Sequence, residues 1–139
     1  MKNTLKVLGA VAALALAHSA WSYTMADVGS LDTILATADS LPNSGQQTET
    51  DWVNAYLASQ SLPATTFNTK TETVSYYLVE GTTDTYAFQL QADPGYFVLK
   101  NATNWALFGN NASTDWGVFD LSDLLAASPN FSKWNLGKK

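Results

Sequence analysis

Tyr96–Leu124, YFVLKNATNWALFGNNASTDWGVFDLSDL, decides the fold class. It holds three short apolar runs, YFVLK, WALF and WGVF, separated by turns rich in asparagine and glycine. Runs this short, bounded by residues that tolerate positive φ, read as strands joined by tight connections. The stretch offers aromatics and amides but no histidine, cysteine or arginine.

Upstream, the pattern has period two. In TVSYYLV (Thr73–Val79), Val74, Tyr76 and Leu78 share one face; in TYAFQLQ (Thr85–Gln91), Tyr86, Phe88 and Leu90 do so while Ala87, Gln89 and Gln91 face the other way. EGTTD (Glu80–Asp84) and ADPG (Ala92–Gly95) read as turns, the second combining the fixed φ of Pro94 with the freedom of Gly95. Further strands are predicted at Thr65–Lys70, Tyr96–Lys100, Trp105–Phe108, Trp116–Phe119 and Phe131–Leu136. Short strands at regular spacing predict a mainly β domain, an antiparallel β-sandwich of jelly-roll-like form with one or two N-terminal helices. A small barrel is the rival architecture. DLSDLLAA (Asp120–Ala127) reads as a short helical turn capped by Ser122 that carries the chain to the last strand.

Residues 23–62 read as helical in two pieces. Leu31, Ile34, Leu35, Ala38 and Leu41 recur at spacings of three and four, and Pro42 with Gly45 interrupts the run. Ser44 and Gln47 have capping-box spacing, followed by a stripe of Trp52, Val53, Tyr56 and Leu57 that ends before Pro63. The β domain then occupies 63–137.

The first residues read as an export signal. Lys2 and Lys6 precede an apolar run from Val7 to Ala17, which is shorter than the roughly 20 residues that span a bilayer. Ala20 and Ser22 flank Trp21 in the small-x-small spacing of a cleavage site, placing the cut after Ser22 and the single exported domain at 23–139; cuts after Ser19 or Ala20 are the neighbouring choices. No second apolar segment of spanning length follows, so no stable membrane insertion is expected after cleavage.

Composition closes several function classes. The 139 residues carry 7 Lys and Arg against 12 Asp and Glu, a net charge of −5, and all seven bases are lysine. Without Lys2 and Lys6 the balance is more acidic still, so nucleic-acid and anionic-membrane binding lack their cationic partners. Cysteine is absent, and the one histidine, His18, lies in the predicted leader. The exported domain therefore has neither a Ser-His-Asp triad, a cysteine nucleophile nor an ordinary zinc site, and no cofactor is expected. Carboxylate pairs remain; a glycosidase needs two of them roughly 5 to 9.5 Å apart, and nothing in the sequence marks such a pair. Asp115, Asp120 and Asp123 match no calcium-loop spacing; Asp120 and Asp123 more simply serve the start of the helical turn.

The tryptophans are the ligand-binding candidates: Trp105, Trp116 and Trp134, each in a predicted short strand. An exposed indole stacks on the apolar face of a sugar while amides such as Asn104, Asn110 and Asn111 bond its hydroxyls; burial in the core is the competing use of the same rings. Asn101, Asn111 and Asn130 begin Asn-x-Ser/Thr sequons, which read either as glycan acceptors or as turn residues that tolerate positive φ.

Four stretches, in order, resemble the extracellular domains of bacterial PEP-CTERM proteins, the substrates of exosortase. They are SLPNSGQQTETDWVNAYL (Ser40–Leu57), YFVLKNATNWALFGN (Tyr96–Asn110), DWGVFDLSDL (Asp115–Leu124) and FSKWNLG (Phe131–Gly137). Members of that family continue past the last strand into a Pro-Glu-Pro motif, a transmembrane helix and an arginine cluster. This sequence ends at Gly137, Lys138 and Lys139, so the resemblance is to a domain without its sorting tail. It implies a secreted, periplasmic or cell-surface bacterial protein and nothing about enzymatic activity; with the export signal and the missing catalytic side chains, the expectation is a non-enzymatic structural or interaction role at the surface or in the extracellular matrix. Envelope components or extracellular polysaccharide are the expected partners, and a carbohydrate-binding module is the alternative reading.

Overall fold

The computed structural model describes residues 4–9, 22–71, 74–90, 95–101, 104–111 and 115–133. The quoted stretch forms a hairpin of two strands and, beyond it, a third strand in another sheet. We label the strands β1 (Thr4–Gly9), β2 (Thr33–Ala38), β3 (Thr66–Thr71), β4 (Tyr77–Leu78), β5 (Thr85–Gln89), β6 (Tyr96–Asn101), β7 (Asn104–Gly109) and β8 (Trp116–Asp120). The helices are α1 (Met25–Val28), α2 (Gln46–Ser59) and α3 (Leu121–Ala127), followed by a 3-10 helix at Pro129–Lys133. The chain is mainly β, as expected.

β6 and β7 pair antiparallel, with Phe97 opposite Phe108, Val98 opposite Leu107 and Lys100 opposite Trp105. Side chains alternate across the pleat. Phe97, Leu99, Ala106 and Phe108 therefore enter one core, and Val98, Trp105 and Leu107 another on the opposite face. Both faces are covered, which is why the strands read as continuous apolar runs and not as an alternation with polar residues.

The sheet around this hairpin has the order β2-β7-β6-β1-β3, and a second sheet has the order β4-β5-β8. Facing aromatic rings join the two. Phe88 of β5 meets Phe97 edge-on at 5.3 Å, and Phe108 lies 6.3 Å from Phe119 of β8. Opposite Phe88 on β8 stands Gly117, where a Cβ would fall 2.5 Å from the Phe88 ring. The far end of the ring closes on the neighbouring backbone, an approach that only glycine permits. Leu124 of α3 and Phe131 complete this core.

α2 covers the other face of the five-stranded sheet with the predicted stripe: Val53 and Leu57 are fully buried, and Trp52 and Tyr56 pack beside them. Burying each of the first two contributes about 1.5 to 3 kcal/mol. The helix start differs from the expected capping box. Gly45 is the cap residue, and the Asn43 side-chain oxygen accepts from the Gly45 N–H and the Thr48 hydroxyl, both at 2.8 Å. At its end Leu62 N–H donates to Leu57 O and Ser61 N–H to Ala58 O, with Ser61 at φ 59°. This is a Schellman closure on a residue that carries a Cβ.

Three expectations are corrected. Leu31–Leu41, read as a helix, contains strand β2, antiparallel to β7 with a bulge between Ile34 and Ala36. Ile34 packs into the core between the sheets and Leu35, Ala36 and Ala38 toward α2, so apolar residues on both faces of a strand mimicked helical spacing. The predicted strand from Phe131 to Leu136 begins in the 3-10 helix, because α3 turns directly into it; residues 134–136 lie outside the described residues. The antiparallel expectation fits β2-β7-β6 and β4-β5-β8, but β1 runs parallel to both β6 and β3, making the larger sheet mixed. β1 falls within the segment read as a leader. Among the described residues no helix is long and apolar enough to cross a membrane.

Candidate functional site

Trp105 does not present its face to solvent. It is 3% exposed, on the α2 side of the sheet, and its indole N–H donates to the Glu49 carboxylate at 2.7 Å. Its cross-strand partner Lys100 donates to the same Glu49 oxygen. Glu49, in the first turn of α2, is 2% exposed. Removing a carboxylate from water costs several kcal/mol, which the ammonium and the indole N–H together offset. The arrangement fixes where α2 sits on the sheet; with its oxygens covered, it offers no reactive surface.

Asp32 makes a second polar crosslink. One carboxylate oxygen accepts from Val118 N–H and the other from Asn111 N–H, each at 2.8 Å, and Asp32 N–H donates to Val118 O at 2.9 Å. The residue just before β2 is thereby tied to β8 in the other sheet. Burial pushes its pKa up to about 6, and the two backbone donors oppose that rise. Asp39 accepts from Asn104 at 3.2 Å and Ser128 at 3.3 Å, joining the end of β2 to β7 and to the residue after α3. Asn54 on α2 bonds both backbone groups of Thr65 just before β3, at 3.0 and 2.8 Å.

Trp116 sits elsewhere, half-buried on the outer side of the three-stranded sheet. Its ring centroid lies 4.9 Å from Tyr23 and 6.3 Å from Tyr77, and Tyr23 lies 5.2 Å from Tyr77. All three rings are partly exposed. Tyr23 is held by a parallel bridge to Val79 and by Glu80 N–H donating to its carbonyl at 2.8 Å. The α1 capping box between Thr24 and Asp27 follows immediately. Interplanar angles of 55°, 75° and 70° make the triad a faceted cluster and not a flat platform.

The structure thus separates Trp105 from Trp116 and brings Trp116 together with two tyrosines that the sequence reading did not select. Trp134 lies outside the described residues. The amides proposed beside the indoles also have other uses: Asn104 is buried against Asp39, and the Asn111 amide donates to Leu31 O and the Thr33 hydroxyl. Asp120, not Ser122, caps α3, accepting from Asp123 N–H and the Thr85 hydroxyl, while Ser122 donates to Asp84. Among the described residues no group of three or more His, Cys, Asp or Glu side chains is placed to hold a metal ion. No family model, curated protein or solved structure matches the chain.

Glu49 and Lys100 left a signal that went unread. Glu49, Val53 and Leu57 recur at spacing four on the apolar stripe of α2, and Lys100 closes the apolar run of β6. One acid and one base, each on an otherwise buried face, mark complementary partners. Tyr23 and Tyr77 left none, since only the fold brings them to Trp116.

Proposed function

We propose that the chain is an exported, non-enzymatic structural or interaction module of the bacterial cell surface or extracellular matrix, built as a jelly-roll-like β-sandwich. The observation that carries this reading is how the buried polar groups are used. Glu49, Lys100 and Trp105 join α2 to the larger sheet, Asp32 joins the two sheets, and Asn104 and Ser128, meeting on the exposed Asp39, join strands to the end of α3. Each is committed to holding two elements together, as suits a cysteine-free domain working outside the cell. Facing rings of Phe88, Phe97, Phe108 and Phe119 support the two-layer reading. Fractionation of the native host tests it: the protein belongs in the exported fraction with an N-terminus near Tyr23, and recovery from the cytoplasm uncleaved would sink the proposal.

Carbohydrate binding is the second reading, favoured by the half-exposed Tyr23, Tyr77 and Trp116 cluster. Faceted aromatic surfaces can grip a sugar ring from two sides. Titration with the host's own exopolysaccharide should quench or shift tryptophan fluorescence, and Trp116→Ala should abolish the response. No change in the wild-type protein at saturating polysaccharide removes this reading and leaves the first intact.

A further inference from the structure

The residues read as a leader are also the strand between β6 and β3. Leu5–Gly9 pairs with Tyr96–Lys100 and Thr4–Leu8 with Thr66–Thr71, both in parallel. We infer that the processed chain is a strand acceptor: with residues 1–22 gone, the slot between β6 and β3 takes an extended, apolar segment of another polypeptide, parallel to β6. The inference rests on the export reading for when the slot empties, but not for what it binds.

Two pins on α2 keep the slot from closing. Glu49 holds the helix to Lys100 of β6 and Trp105 of β7, and Asn54 holds the residue before β3 through two hydrogen bonds. Phe67 of β3 packs in the same cluster under α2. For β3 to pair directly with β6 it would have to move by about 4.8 Å, one strand spacing, and break these contacts. The emptied slot then bares the backbone edge of β6, a surface that natural sheets cover.

The occupant's chemistry follows from the walls. Tyr96 and Val98 line the α2 side of β6, and Phe97 and Leu99 line the side facing the other sheet. A guest must be apolar on both faces, about five residues long, and free on both edges to pair with two strands. In a second processed copy β2 is held by β7 and has only one free edge, and β3 (TFNTKT), although freed from β1, is polar apart from Phe67, so an extended apolar segment of a different polypeptide fits better than self-association.

The probe is a synthetic peptide of residues 1–12, MKNTLKVLGAVA, tested against the full-length chain carrying Val7→Pro. Proline removes a ladder donor and expels the chain's own strand without any processing step. The fluorescent peptide should bind saturably and raise the melting temperature of the variant, bind a wild-type chain far less, and lose about tenfold in affinity when it carries the same Val7→Pro change. If the variant does not fold alone, restoration of its circular dichroism by the peptide supports the inference. Absence of both binding and rescue overturns it, as does a variant that dimerises in place of binding peptide. Adding Asn54→Ala should weaken peptide binding by releasing β3. Intact-mass analysis of the exported protein tests processing separately, so a failed cleavage and a closed slot are distinguishable.

Discussion

The two faces of the β6–β7 hairpin are buried by different means. Toward the three-stranded sheet the contact is made by rings: Phe97 and Phe108 stack at 4.9 Å and Phe88 and Phe119 close over them. Toward α2 a buried ion pair, Glu49 with Lys100, sits among Val53, Leu57, Val98 and Leu107. Apolar packing is strong but non-directional, and the twist of the sheets leaves few ways to stack them. A single helix can slide or rotate on a flat apolar surface, so one buried polar contact can set its position. The apolar layer supplies stability, and the polar pin supplies register.

Removing the ring at the centre of the apolar layer should have the largest effect. Phe88→Ala is expected to destabilise by about 3 to 5 kcal/mol in urea unfolding, since it removes a fully buried ring and leaves a cavity against Gly117. A cost below about 1 kcal/mol would mean that the sheets do not pack through this residue.

The pin should behave differently when cut singly and when replaced as a pair. Glu49→Leu leaves Lys100 without its anion and is expected to cost about 3 kcal/mol. Glu49→Leu with Lys100→Met should cost only about 1 kcal/mol, the residue of an indole N–H without an acceptor. A double-mutant cycle reads the coupling directly; additive costs would show that the two groups do not interact.

At the rim between the sheets, Asp32 gives the comparison a pH dependence. Its folded pKa of about 6 lies above its ordinary 3.8, so the folded state holds the proton more tightly than the unfolded one. The stability this contributes is fully present below about pH 4, falls as pH rises through about 6, and is gone by about pH 7, a loss of up to about 3 kcal/mol. Asp32→Asn cannot titrate, so the stability of wild type minus variant should fall over that window. A flat difference would mean that the carboxylate is better solvated than its surroundings imply.

The smallest effect concerns the end of α2. Ser61 adopts φ 59°, where a Cβ is strained, and its closure bonds are made by backbone alone. Ser61→Gly should raise stability by up to about 1 kcal/mol, visible as a higher thermal midpoint, and a loss would show that the Ser61 side chain contributes more than its strain costs.

Within the sequence, period two and turn chemistry were enough to place β5, β6, β7 and β8, and the Trp52–Leu57 stripe was enough to place α2, because those elements are specified by neighbouring residues. They also made the chain mainly β. β2 was misread because it carries apolar, partly buried residues on both faces, and such a strand loses the alternation that identifies it. The parallel seat of β1 is invisible for a related reason: parallel pairing joins residues far apart in the chain and leaves no turn signature between them. The same distance explains the sites. Trp105 and Trp116 look equivalent in sequence, each in a short apolar strand, but one strand is covered by α2 while the other lies in the sheet whose outer face meets Tyr23. Residue type established that aromatics would matter; which of them meet, which are shut from solvent, and which acids are buried beside them depend on contacts between distant segments, and only the tertiary structure decided those.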